Sequence, residues 1–317
     1  MARDTRVTFP RFDLAAFEGA HQDARHDLAR ELDHICRDTG FLVLEGHGVP
    51  QEVIDDVWRA AAAFFAQAPA AKQSVMPPYQ GYPYGYLGPD AEALARSKGE
   101  DTPPDLKESF NGGPLRVPLN ASAAAMDFCY QPTLWPDLPG FRAAWEAYYA
   151  AMEDLAARVM RAFAAALILP EDHFDPFIAN PISALRALHY PATVDAPLAK
   201  QQRAGAHTDY GSLTILLPQP GRQGLQVQQG DQWVDVPAPE SAFVINIGDL
   251  MARWTADRWV STLHRVVAIP GQPARQSLAY FHQPDWGAKI VPLDGSNAYP
   301  PVQSGPYLMG KFQATGV

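Results

Sequence analysis

The sequence predicts an α+β fold: many short strands, arranged as a β-sandwich or jelly roll, packed on helices. Two observations predict it. Before Asn180 the apolar residues recur mostly at helical spacing, and after it they alternate with period two. No Gly-, Ser- or Pro-rich linker divides the halves, so the two parts are expected to form one unit over 1–317. Its expected parts are a mostly helical region 1–180, a strand-rich core 181–283 and a tail 284–317 able to act as a lid.

Helices come first. Leu28, Leu32 and Ile35 form one stripe that stops at Gly40. Phe41–Leu44 then reads as a short strand. Val53, Ile54, Val57, Trp58, Ala61, Phe64 and Phe65 make a second stripe. Phe141, Trp145, Tyr148, Met152, Leu155, Val159 and Phe163 keep one face of a long third helix. Between the second and third helices, residues 77–138 are rich in Pro, Gly and Asp. Long loops within compact domains are usually functional or disordered. Tyr82, Tyr84 and Tyr86 alternate there, either lining a substrate entrance or stapling the loop to the core.

Strands follow. ALRALHY (184–190), LTILL (213–217), LQVQQ (225–229), QWVDV (232–236), AFVINIG (242–248), HRVVAI (264–269) and RQSLAYFHQ (275–283) all carry strand composition. Gly230-Asp231 marks a hairpin turn between two of them.

Composition excludes several function classes. The chain has 317 residues, 47% hydrophobic and 19% charged, which is ample for a large core. A formal net charge of -10 and no basic run argue against nucleic acid or anionic membranes as partners. The expected partner is a small molecule. No apolar run is long enough to span a bilayer, and MARDTRVTFP lacks the apolar stretch of a secretory signal, so a cytoplasmic location is expected. The two cysteines, Cys36 and Cys129, form no CxxC, and Cys36 falls on an apolar helical face, where a buried thiol is expected.

The chemistry-bearing residues lie in the second half. In an extended segment, residues i and i+2 share a face, so His207 and Asp209 in AGAHTDYGSLTILL aim at one point. His264, in STLHRVV, begins another strand and completes a set of two imidazoles and one carboxylate. Such a set suits Fe(II) and leaves coordination positions open. Spacing alone also fits plain polar residues at a strand end. Arg275 and Ser277 form a second i, i+2 pair, on a face that continues through Ala279 and Phe281. A guanidinium and a hydroxyl on one inward face can hold a carboxylate. Phe281 is the expected apolar wall of the pocket. His47 reads as a turn residue, His189 points away from Tyr190's face, and Asp249 and Arg265 are expected to pair near the site.

At these residues the chain resembles the isopenicillin N synthase-like family of Fe(II)- and 2-oxoglutarate-dependent oxygenases. TFPRFDL, GFLVLEGHGVP, AAAFFAQAPAAK, HTDYGSLTILL, GLQVQ, INIGDL, LHRVV and RQSLAYF match the family's motifs in order and spacing, over nearly the whole chain. The resemblance implies a double-stranded β-helix (jelly-roll) core. It implies His207, Asp209 and His264 as Fe(II) ligands. It implies Arg275, Ser277 and Tyr190 as contacts to the distal carboxylate of 2-oxoglutarate. Many plant members carry Asn two residues before that tyrosine, where this chain has Leu188. The implied reaction couples O2 and oxidative decarboxylation of 2-oxoglutarate to hydroxylation or desaturation of a small molecule, amino-acid-like or another secondary metabolite. Two alternatives stand beside it: a family oxidase or cyclase using O2 without 2-oxoglutarate, and a ligand-binding module without turnover. The substrate pocket is expected to include Phe281, Tyr82, Tyr84 and Tyr86.

Overall fold

The computed structural model describes residues 9–315 apart from 90 and 194. Residues 1–8, including most of MARDTRVTFP, and the last two tail residues lie outside the described residues. In chain order the first elements are β1 (Arg11–Asp13), α1 (Leu14–Gly19), α2 (Gln22–Asp38), β2 (Phe41–Glu45), α3 (Gln51–Phe65), α4 (Pro69–Gln73) and β3 (Gly85–Leu87). A 3-10 turn (Leu94–Lys98), β4 (Glu108–Gly112), α5 (Ala123–Cys129) and α6 (Phe141–Ala166) follow. The core holds β5 (Ala184–Tyr190), β6 (Ala204–His207), β7 (Leu213–Pro218), β8 (Leu225–Gln229), β9 (Gln232–Asp235), β10 (Phe243–Ile247), α7 (Asp249–Trp254), β11 (His264–Val266) and β12 (Arg275–His282). The tail carries β13 (Lys289–Ile290), β14 (Val302–Gln303) and α8 (Ser304–Thr315).

Local chemistry accounts for the helices. The side chain of Asp13 caps α1 by accepting from Ala16 N at 2.9 Å, satisfying a donor that helix ends leave open. α2 stops where Gly40 takes φ +61°, and a Cβ there would meet Val260 O at 2.1 Å. α6 buries Phe141, Trp145, Tyr148, Met152, Leu155, Val159 and Phe163 along one face. Each such side chain contributes roughly 1.5–3 kcal/mol on burial.

Eight strands form one sheet in the order β1-β2-β10-β7-β12-β5-β4-β3, and four form a second, β6-β11-β8-β9. The larger sheet is covered on both sides. Leu278, Tyr280, Leu185, Ala187 and Ile215 pack into the cluster shared with α2, α3 and α6. Ala279, Leu188, Tyr190 and Val244 pack against Leu225, Val227 and Val266 of the second sheet. The result is three layers, helices over sheet over sheet, with the jelly-roll interior between the sheets.

Among the described residues, region 1–180 holds six α-helices and four strands. β2 is the short strand expected at Phe41; β1, β2, β3 and β4 all join the large sheet, and β3 and β4 arise from the stretch expected to be loop. β3 has three residues, and β4 reads ESFNG. Neither carries apolar alternation, so no period marked them. The strand at His264 is also shorter than expected, ending at Val266.

Candidate iron and 2-oxoglutarate site

The site is built at the mouth between the sheets. β6 and β11 pair antiparallel with His207 opposite His264, which brings the two imidazoles to a centroid separation of 4.3 Å. β6 runs close beneath the 3-10 turn: a Cβ on Gly205 would meet Ala95 N at 2.7 Å. Asp209 follows the end of β6, where its carbonyl accepts from Asp249 N at 2.7 Å and the carbonyls of Tyr210 and Gly211 accept from Leu250 N. The first turn of α7 thereby anchors the segment carrying the carboxylate. Asp209 Oδ1 lies 3.9 Å from His207 Nε2 and 3.8 Å from His264 Nε2. One ligand atom from each residue falls within a common 4.8 Å.

The surroundings leave those atoms free. His207 Nδ1 donates to Gly205 O at 2.7 Å and His264 Nδ1 donates to Thr262 O at 3.1 Å, which fixes the tautomers with Nε2 unprotonated. Burial, and then the neighbouring His264, push the His207 imidazole down to about 3, so it stays neutral. Burial alone would raise the Asp209 carboxyl, but the two imidazoles and its hydrogen bonds outweigh it and hold it down. Asp209 Oδ2 accepts from Thr214 Oγ1 and from Asn246 Nδ2, the latter at 2.7 Å, leaving Oδ1 to face the histidines. Phe41 stands edge-on to His264 at 5.3 Å.

Arg275, Ser277 and Tyr190 meet on the same interior face. Arg275 is register partner to Tyr190 and Ser277 to Leu188. The Arg275 guanidinium carbon sits 5.0 Å over the Tyr190 ring. Arg275 is 3% exposed and Ser277 1%. Nevertheless Arg275 Nε and Nη1 and Ser277 Oγ have no hydrogen-bond partner among the described residues. Unpaired buried polar atoms are costly, and a bound carboxylate would satisfy all three. Leu188, packed in the intersheet cluster, offers Ser277 no polar partner. Phe281 shares this face and stands opposite Thr214.

Other expectations are corrected. Tyr84 is buried and donates to Cys129 O at 2.5 Å, Tyr86 donates to Glu108 Oε2 at 2.5 Å, and Tyr82 donates to Pro132 O. Tyr86 stands opposite Phe110, which faces the helices, so Tyr86 turns away from the intersheet interior. These tyrosines staple the 77–138 segment. Asp249 and Arg265 do not pair. Asp249 opens α7 and accepts from Ser261 Oγ and Lys311 Nζ, both at 2.7 Å. Arg265 projects from the other side of β11, bonding Gln226 Oε1 at 3.0 Å with its guanidinium carbon 4.1 Å over Trp233. His47 holds its turn, its Nδ1 accepting from Val49 N. His189 faces Glu108 and Phe65 on the helix side. Cys36 and Cys129 are free and buried.

Sequence reasoning missed three groups. Thr214 and Asn246 orient Asp209; the available signal was a lone amide inside the apolar run FVINI. Lys98 donates to Thr208 Oγ1 at 2.7 Å, tying the 3-10 turn to the residue between His207 and Asp209. A charged network lines the interior beside Ala279: Arg186 Nε bonds Asn111 Oδ1, and its Nη1 bonds Glu92 Oε1 at 3.0 Å. Buried Lys107 neutralises Glu92 and Asp105, at 3.2 and 2.9 Å. Asp105 also accepts from Gly205 N at 2.9 Å, which ties this network to β6.

Comparison with known proteins shows the family. The model of the 2OG-Fe(II) oxygenase superfamily matches residues 181–284, and that of the non-haem dioxygenase in morphine synthesis N-terminal region matches residues 9–138. A 2-oxoglutarate-dependent dioxygenase of Aspergillus niger is 34% identical over 276 residues, 83% of this chain and 80% of its own. Validamycin A dioxygenase of Streptomyces hygroscopicus subsp. limoneus is 33% identical over 315 residues, 95% of this chain and 85% of its own. The crystal structure of a full-length Neurospora crassa protein in complex with alpha-KG (2-oxoglutarate) superposes with TM-score 0.85 at 30% identity, covering 99% of this chain and 98% of that one. The complex of the same protein with alpha-KG and thymine superposes with TM-score 0.83, covering the same shares. The chain belongs to the 2OG-Fe(II) oxygenase superfamily and is a non-haem dioxygenase that uses Fe(II), 2-oxoglutarate and O2.

Proposed function

We propose that His207 Nε2, Asp209 Oδ1 and His264 Nε2 hold the Fe(II), and that Arg275, Ser277 and Tyr190 take the distal carboxylate of 2-oxoglutarate. With O2, the loaded iron supplies the oxidative decarboxylation that drives hydroxylation or desaturation of a C–H bond. The protein's own contribution is positional. Thr214 and Asn246 keep Oδ1 turned to the metal. Gly205 and Thr262 carbonyls keep both imidazoles in the ligating tautomer. Phe281 closes one wall beside the triad.

One observation carries this reading: the buried Arg275 and Ser277 atoms without partners lie on the interior face shared with Tyr190. That arrangement favours a 2-oxoglutarate user over an oxidase that dispenses with it. The test is succinate release. Purified protein with Fe(II), 2-oxoglutarate and O2 is expected to form succinate, and Arg275→Gln to lose most of that at fixed 2-oxoglutarate. Unchanged succinate formation in the variant would remove Arg275 from the cosubstrate site.

The substrate is a small molecule carrying a hydrogen-bond acceptor near the reacting carbon. Arg186 supports this: it lies on the interior face, is partly exposed, and is braced by Glu92 and Asn111 with no described bond from Nη2. The likeness to the Neurospora crassa protein crystallised with thymine, and to Validamycin A dioxygenase, puts nucleobases and polar hydroxylated metabolites first in a turnover panel. The helical region, core and tail act as one unit, with α8 as a cover. In support, Lys311 bonds Asp249, and Phe312 stands edge-on to Tyr210 at 5.6 Å, beside Asp209.

A further inference from the structure

Behind Arg275 lies a second space. A cavity of about 280 Å³ is lined by Arg203, Gly221, Arg222, Gln223, Gln272, Pro273 and Arg275. Neither Ser277, Tyr190 nor any of the three triad residues borders it. Arg275 is therefore the one cosubstrate residue that also borders this cavity.

The lining has an unusual charge balance. Arg203 is 2% exposed and Arg275 3%. Arg203 Nη2 donates to Pro191 O and Pro273 O, both at 2.8 Å. Its Nε has no partner, as Arg275 Nε and Nη1 have none. No ion pair joins either guanidinium to a carboxylate among the described residues, and no acidic residue lines the cavity. Arg222 adds a third guanidinium at the exposed rim. Gln272 Oε1 already accepts from Ile269 N at 2.8 Å, which leaves its amide N–H groups as what that side chain can offer. Buried cations without counterions attract anions strongly, since the low local dielectric magnifies the interaction. The proposed 2-oxoglutarate contact engages Arg275, Ser277 and Tyr190 and assigns no partner to Arg203 Nε.

We propose that this cavity is a second, oxyanion-binding site, separate from the 2-oxoglutarate pocket and coupled to it through Arg275. Its ligand is a small multiply charged oxyanion of the phosphate or polycarboxylate class. An anion held there offsets the positive charge of Arg275 and competes for its N–H groups. It therefore weakens, without blocking, the hold on the distal carboxylate. The effect is reciprocal by linkage: 2-oxoglutarate weakens the anion to the same degree. The proposal rests on Arg275 being a cosubstrate contact.

The experiment is anaerobic calorimetry of the iron-loaded full chain with 2-oxoglutarate, at rising inorganic phosphate and at ionic strength held constant with chloride. A citrate series runs in parallel to separate phosphate from polycarboxylate as the preferred source. The Kd for 2-oxoglutarate is expected to rise by about fivefold or more, within the usual range of coupling between sites, and then to level off. Arg222→Gln, at the exposed rim, is expected to shift that rise to higher phosphate while leaving the phosphate-free Kd unchanged. A rise without limit would mean direct competition in the 2-oxoglutarate pocket and would overturn the second site. So would a Kd that ignores both anions, or an Arg222→Gln variant that responds like the parent. If Arg275→Gln binds 2-oxoglutarate like the parent in the phosphate-free control, the cosubstrate assignment of Arg275 fails, and the coupled second site fails with it; a flat anion response in the parent, with Arg275→Gln impaired, removes the second site alone.

Discussion

Thr214 and Asn246 stand opposite each other on β7 and β10 and donate to the same oxygen of Asp209. That shared acceptor turns the other carboxylate oxygen toward the two histidines. Asn246→Ala should therefore loosen the carboxylate without removing a ligand. Metal affinity is expected to fall about 10- to 100-fold, as for other residues that orient metal ligands. Anaerobic Fe(II) titration followed by calorimetry reads it, and an unchanged affinity would show that Asp209 needs no such support.

On the proposed assignment, His207→Ala removes one ligand atom outright. Iron content is expected to fall to background and succinate formation to cease, while the far-ultraviolet dichroism stays that of the parent. Normal iron content and rate in this variant would dismiss the ligand assignment.

Arg275→Lys keeps the charge but loses the planar fork that matches a carboxylate. A hydrogen bond to a charged group contributes about 1.5–3 kcal/mol, so the KM for 2-oxoglutarate is expected to rise about 10- to 100-fold. Ser277→Ala removes one neutral donor, and its expected rise is smaller, about two- to tenfold. Steady-state kinetics at saturating substrate separate the two.

Glu108 sets part of the acid limit of stability. Burial alone would raise its carboxyl, but hydrogen bonds from His189, Lys72 and Tyr86 outweigh burial and hold it at about 2. An unfolded glutamate titrates near ~4.3, so the folded value is depressed. Its contribution is fully present above that unfolded value and is lost as pH falls toward 2. The difference is worth on the order of 3 kcal/mol at neutral pH. Urea midpoints should drop through this window, and Glu108→Gln should flatten the drop while lowering stability at pH 7.

Tyr84→Phe tests whether the tyrosine run serves the loop or the substrate. The lost bond to Cys129 O leaves a buried carbonyl less satisfied, at a cost of about 1 kcal/mol. Denaturant midpoints should fall while KM for substrate stays constant. A changed KM with unchanged stability would return Tyr84 to the pocket.

The sequence by itself picked out the residues proposed to carry the chemistry, and much of the frame. Side-chain alternation along an extended backbone pairs Arg275 with Ser277 on β12 and pointed to His207 and Asp209 together, although Asp209 stands just beyond β6. The long stripe from Phe141 to Phe163 required an apolar surface to cover it, and period-two runs after Asn180 supplied sheet. Tertiary structure alone decided the rest. Which way Tyr86 points depends on the register of β3 against β4, and those strands are too short to show a period. Asn246 and Thr214 reach Asp209 only because β10, β7 and the turn after β6 converge, although the three residues are distant or unpatterned along the chain. Arg203, just before β6, and Arg275, the first residue of β12, border one cavity, which no spacing encodes. Local alternation is written in neighbouring residues. Convergence of distant ones is set by strand order and packing, which only the folded chain expresses.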